Sequence, residues 1–99
     1  MKVSFNVDFV AEGEATHGLC RDVSDGGIRA EFDGPLTVGG CGLLILRHPS
    51  GVLKLEARVA HIERCQVGLV LLFRTAEECK MAVDFLASLA NPGIVLEQR

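Results

Sequence analysis

The side chains able to do chemistry in this chain are few and scattered. His17-x-x-Cys20 and His61-x-x-x-Cys65 are mixed pairs at metal-ligand spacing, and a fold could join them into one metal or redox site. No CxxC pair exists among Cys20, Cys41, Cys65 and Cys79, so a zinc ribbon or a thioredoxin-like motif has no support. Cys79 falls on the apolar face of a helix expected below, and a cytosolic cysteine commonly serves as a small buried hydrophobe. The four are read as reduced structural thiols, with no metal assigned, because a cytosolic setting disfavours disulfides.

Ser24 stands near Asp22 and Asp25, but a serine nucleophile needs a base that the fold must bring to it. The spacing does not place His17, His48 or His61 there. His48 precedes Pro49 in a turn and reads as solvent-exposed; His17 reads as a barrel-facing or rim residue; Asp25 reads as a turn residue. GxGxxG, the P-loop lysine, GxSxG and HExxH are all absent, so no enzyme is expected and no catalytic residue is assigned.

The elements that must position these groups follow from composition and period. At 99 residues, 48% hydrophobic and 23% charged, the chain suits one domain with one core. Ten Lys and Arg against thirteen Asp and Glu give a net charge of −3, which argues against a nucleic-acid polymer as partner. No apolar run reaches the ~20 residues that span a bilayer, so membrane insertion is not expected. The opening MKVSFNVDFV alternates polar and apolar residues instead of forming a signal-peptide core, and a cytoplasmic location is expected.

Val3, Phe5, Val7 and Phe9 define the inward face of a first strand, and AEGE turns it around Gly13. A second strand runs from about Ala15 to Val23, with Arg21 sharing a face with Leu19 and Val23. Ser24-Asp25-Gly26-Gly27 is dense in turn chemistry. Ile28, Ala30 and Phe32 then point in, with Arg29 and Glu31 out. Gly39-Gly40 opens a fourth strand, Leu43 to Leu46. A long fifth places Leu53, Leu55, Ala57 and Val59 inward, and Lys54 and Arg58 on the solvated face; a bulge is expected at Ala60-His61-Ile62. Val67 to Phe73 forms the sixth. Short strands with recurrent turns indicate a small barrel or a sandwich.

Thr75-Ala76-Glu77-Glu78 fits a capping box. Cys79, Ala82, Val83, Leu86, Leu89 and Ala90 recur at helical spacing, and Asn91-Pro92-Gly93 stops the helix. The expected layout is a barrel over about 3–74, a helix over about 76–90 and a tail over 91–99, in a single domain spanning 1–99. Ile94, Val95 and Leu96 suggest that the tail docks or self-associates.

The stretch Arg21 to Arg29 resembles the D-x-S-x-x-G signature of PilZ domains, with Asp22, Ser24 and Gly27 at the motif positions. The resemblance continues through Val38-Gly39-Gly40, the strand Leu43 to Leu46, the long strand Leu53 to Val59, and Val67-Gly68-Leu69 through Phe73, covering about residues 3 to 90. It implies a mainly β fold, a six-stranded antiparallel barrel with a C-terminal helix, that binds cyclic di-GMP through the motif Asp and Ser. A carboxylate such as Asp22 can accept from guanine N–H donors.

The resemblance also implies an N-terminal R-x-x-x-R arm, and here the sequence departs from it. Ahead of Arg21 the only basic side chain is Lys2, a point charge that cannot form the planar guanidinium fork. At about 1.5–3 kcal/mol per charged hydrogen bond, losing two arginines would take a micromolar site to the millimolar range. Arg21 and Arg29 flank the motif and could compensate in part, while His61 stands near where many family members carry an aromatic residue or Arg. Two functions follow as expectations. One is a non-enzymatic adaptor in bacterial cyclic di-GMP signalling, with weak or absent nucleotide binding and a protein partner related to type IV pili or motility. The other is a receptor holding cyclic di-GMP with Asp22, Ser24, Gly27, Lys2, Arg21 and Arg29. A Cys/His metal or redox site is a third, remote class.

Overall fold

A computed structural model of the chain describes residues 2–24, 27–49 and 51–90. Six strands, β1 (Lys2–Ala11), β2 (Glu14–Ser24), β3 (Gly27–Phe32), β4 (Cys41–His48), β5 (Gly51–Glu63) and β6 (Gln66–Leu72), precede one helix, α1 (Ala76–Ala90). The strands close into an antiparallel barrel in the order β1-β2-β3-β6-β5-β4, with β4 returning to pair β1. Closure leaves no open sheet edge among them. The barrel and the terminal helix are as expected. β6 ends one residue before Phe73, which is partly exposed beyond the strand.

Local chemistry explains the connections. Ala11 pairs with Glu14, leaving Glu12 and Gly13 as a two-residue loop with φ of 54° and 81°. Positive φ at both positions is what a tight right-twisting hairpin requires. Arg64, with φ of 59°, opens the turn between β5 and β6. At the start of α1, Glu78 N–H donates to Thr75 Oγ1 at 3.0 Å. The Glu78 carboxylate reaches back to accept from the Arg74 amide at 2.8 Å, one residue earlier than a standard capping box would place it.

The core is the barrel interior. Val7, Leu44, Leu46 and Ala57 are fully enclosed, with Phe5, Phe9, Ile28, Ala30, Leu53, Leu55, Val59 and Leu69 around them. Each large apolar side chain so buried contributes about 1.5–3 kcal/mol relative to exposure. The period-two alternation of β1, β3 and β5 therefore sorts core from surface as read from the sequence.

Four local expectations are corrected. Arg21 does not share the face of Val23: the β2–β3 register slips between Cys20 and Asp22, so the bulge at Arg21 leaves Cys20 and Val23 both inside while Arg21 and Ser24 are exposed. His48 is not a solvent-exposed turn residue. It is half-buried, its ring edge-on to Phe5 and to Phe85, with centroids 5.8 and 6.3 Å away. These three rings join the barrel to α1. On the helix, Val83 is 57% exposed, and Phe85 takes its place beside Ala82, Leu86 and Leu89 against the core. His17 faces outward from β2, so it and the buried Cys20 lie on opposite sides of the wall and cannot form a ligand pair. The readings placed on Asp25, on Asn91-Pro92-Gly93 and on Ile94, Val95 and Leu96 fall outside the described residues.

Candidate functional site

Two bulges build the site. The slip at Arg21 turns Asp22 and Ser24 to the outer face of β2. A second slip between Val59 and His61, where a bulge was expected, presents His61 on the outer face of β5. Bulges of this kind re-aim side chains beside functional clefts. Strand pairing then aligns one lateral row: Lys2 opposite Asp22, Asp22 opposite Arg29, Arg29 opposite Gly68, and Gly68 opposite His61.

A cleft of about 320 Å³ opens along this row, lined by Asp22, Ser24, Gly27, Arg29, His61 and Gly68 among others. That volume lies at the small end of ligand sites. A neighbouring cleft of about 270 Å³ is lined by Lys2, Arg21, Asp22 and Arg29, with Glu31 and Gln66. Asp22 and Arg29 form the wall between the two. All six residues singled out in the sequence therefore border one of two adjoining clefts. Lys2 and Arg29 both lie within electrostatic reach of the Asp22 carboxylate. The row thus alternates cation, anion, cation along its first three strands.

Two glycines set the floor. A Cβ on Gly27 would stand 2.9 Å from the Leu69 carbonyl, so glycine allows β3 to run close against β6 at the motif's end. A Cβ on Gly68 would collide with the His61 imidazole. Sequence reasoning noted His61 but left it and Gly68 off the site. The signals that could have found them were the glycine inside an apolar strand and the expected bulge at His61.

For metal binding, no three of His, Cys, Asp and Glu gather to hold an ion among the described residues. Cys20 is buried, while Cys41 and Cys65 are exposed.

The PilZ domain family profile matches residues 1–88. The chain belongs to the PilZ domain family. PilZ domains are a family of cyclic di-GMP-binding domains of bacteria and are generally non-catalytic. Among solved structures, the chain is similar to one described as the PilZ domain of CeSA from a cellulose-synthesizing bacterium. The TM-score is 0.65 and the identity 18%, over 98% of this chain and 96% of that one. That likeness is one of fold. No curated protein matches the sequence. Asp22, Ser24 and Gly27, set against the PilZ signature in the sequence analysis, border the cleft described above. No helix among the described residues is long and apolar enough to cross a membrane.

Proposed function

We propose that this chain is a non-enzymatic regulatory adaptor of bacterial cyclic di-GMP signalling, whose own hold on the nucleotide is weak and which acts by contacting a protein. The observation that carries the reading is the composition of the larger cleft. It offers the motif side chains Asp22 and Ser24 but only one guanidinium, Arg29, for a dianionic ligand. One arginine supplies one bidentate grip on a phosphate, where a tight site would use several. The family resemblance supports a partner in type IV pilus assembly or motility, and a cytoplasmic setting.

The second reading, a genuine receptor, is favoured by a separate observation. The adjoining cleft adds Lys2 and Arg21 to the same Asp22–Arg29 wall, so three cations border one continuous surface. Calorimetric titration of the chain with cyclic di-GMP in low-salt buffer decides between them. The adaptor binds with a Kd of roughly 0.1–1 mM, weakening as salt rises and on Asp22→Ala. Micromolar affinity that falls on Lys2→Ala and Arg21→Ala would establish the receptor instead. No saturable binding would leave protein contact as the sole activity.

A further inference from the structure

The two ends of the barrel are built differently. Asp22 and Ser24 close β2 at the end where β1 begins, beside the aromatic contact to α1. At the opposite end the Glu12–Gly13 loop joins β1 to β2, and residues 33–40 cross from β3 to β4. The crossing segment is pinned on both sides. The Asp33 amide donates to the His17 carbonyl at 2.8 Å, the Gly39 amide to the Val59 carbonyl at 2.8 Å, and the Val59 amide to the Gly40 carbonyl at 2.9 Å. Between these ties Leu36 packs on the core.

A cavity of about 190 Å³ lies between the hairpin and the crossing segment. Phe9, Ala11 and Leu36 give it apolar walls, and the exposed Glu12 and Glu14 border it. It is smaller than a small-molecule site and suits one long side chain. Among the described residues no cation lines it. Asp8 and Glu56 are each paired with an arginine, but Glu12 and Glu14 have no ion-pair partner among the described residues. Arg58 stands opposite Cys41 without lining the cavity or pairing with either carboxylate. Beyond Cys41 an apolar row, Ala15, Val10 and Leu43, continues over the outer wall, with Leu43 36% exposed.

Unpaired carboxylates over an apolar wall match a side chain with an apolar stem and a cationic head. Arginine suits them better than lysine, because its planar fork meets a carboxylate through two bonds. We propose that this cavity is a docking socket for an arginine of a partner protein, held by Glu12 and Glu14 against Phe9 and Leu36, with a neighbouring aliphatic residue of the partner on Leu43. The proposal rests on the adaptor reading, to which it adds the place and the chemistry of the partner contact. Docking there leaves the cleft at the other end of the barrel free. The pinned walls have little to order on binding, and the net charge of −3 favours approach of a basic partner.

The probe is the peptide acetyl-Ala-Leu-Arg-Leu-Ala-amide, titrated into the whole chain and followed by amide NMR, with the neutral citrulline peptide beside it. Saturable shifts should appear at Thr16, Leu36 and Cys41 and not at Asp22, with a Kd of roughly 0.1–1 mM. The peptide should also slow alkylation of Cys41 but not of Cys65. Glu12→Asn removes one carboxylate at a φ of 54°, a conformation asparagine tolerates, so the fold is kept. Glu12→Asn and Glu14→Gln should each weaken binding about threefold and together about tenfold, as should citrulline for arginine, while Glu77→Gln on α1 should change nothing. Equal losses for Glu77→Gln would show general charge attraction and overturn the socket. Concentration-dependent shifts at Leu36 and Cys41 without peptide would show a second copy filling the cavity and overturn it too. No saturable shift up to about 5 mM peptide, with cyclic di-GMP still binding only weakly, would overturn the socket and leave the adaptor reading standing. Micromolar nucleotide affinity would overturn the adaptor reading, and the socket as its partner contact with it.

Discussion

Arg47 on β4 donates from Nε to Oδ2 of Asp8 on β1 at 2.9 Å, across the seam where the last-paired strand closes the barrel. The other carboxylate oxygen, Oδ1, accepts from His17 Nδ1 on β2 at 3.0 Å, so one carboxylate ties three strands together. These bonds, His17's first and Arg47's second, hold the Asp8 carboxyl below its ordinary value near 3.8. A depressed carboxylate stabilises the fold fully above the unfolded value, and that contribution disappears as pH falls through the lower folded value. Asp8→Asn should therefore destabilise the protein at neutral pH, by up to about 1 kcal/mol for partners this exposed. The gap in Tm between variant and wild type should close as pH is taken from about 5 to 2. A gap that persists unchanged to pH 2 would show that packing, not charge, ties the seam.

Gly18 is the tightest point of β2. A Cβ there would stand 2.5 Å from the Glu31 carbonyl oxygen and 2.7 Å from the Phe32 ring. Neither neighbour can retreat easily, since the carbonyl belongs to the paired strand and Phe32 packs into the core. Gly18→Ala should cost about 1–3 kcal/mol, a Tm fall of roughly 5–20 °C for a domain this size. Gly13→Ala probes a different cause, since open space surrounds that position and only its φ of 81° resists a side chain. Its smaller loss, about 1 kcal/mol, would separate backbone strain from crowding. Equal losses at the two positions would argue against crowding at Gly18.

The thiols should sort by burial. Cys20 is enclosed in the barrel, and loss of hydration pushes its pKa up to about 11. Only the thiolate alkylates. With iodoacetamide at pH 8, Cys41 and Cys65 should label within minutes, Cys79 more slowly, and Cys20 only at the rate of unfolding. Denaturant should release all four together. Prompt modification of Cys20 in the native protein would contradict the closed barrel.

The same residues show why some of this was legible in the sequence and some was not. Val7 and Phe9, Ile28 and Ala30, Leu53 and Leu55 announce their strands because alternation is a local property of the chain. Arg21 sits in an alternating run as well, and there the pattern misleads. A bulge is created by pairing with another strand, so the phase flip at Asp22 depends on Ala30 and Arg29, not on its own neighbours. His48 was misjudged for the same reason. Its proximity to Pro49 is written in sequence, whereas its contact with Phe85 exists only after α1 has docked. Asp22, Ser24 and Gly27 were singled out through resemblance and do border one cleft, but the His61–Gly68 contact joins strands whose register no local spacing encodes.

Helix α1 carries apolar residues on more than one side, so spacing alone could not choose which side docks. At about 100° per residue, Val83 lies about 100° round from Ala82 in one direction and Phe85 about 60° in the other. A single docked face centred on Ala82, Leu86 and Leu89 has room for Phe85 but not for Val83, and Phe85 gains ring contacts with Phe5 and His48. Ala82 is 1% exposed against 57% for Val83. Val83→Glu should therefore change stability by no more than about 0.5 kcal/mol. Ala82→Glu would force an unpaired carboxylate into the barrel contact and should cost about 3 kcal/mol or more, or detach the helix. Urea unfolding followed by helical circular dichroism measures both. Comparable losses for the two variants would mean that the helix docks through the Val83 side, and the Phe5–His48–Phe85 contact would then have to be abandoned.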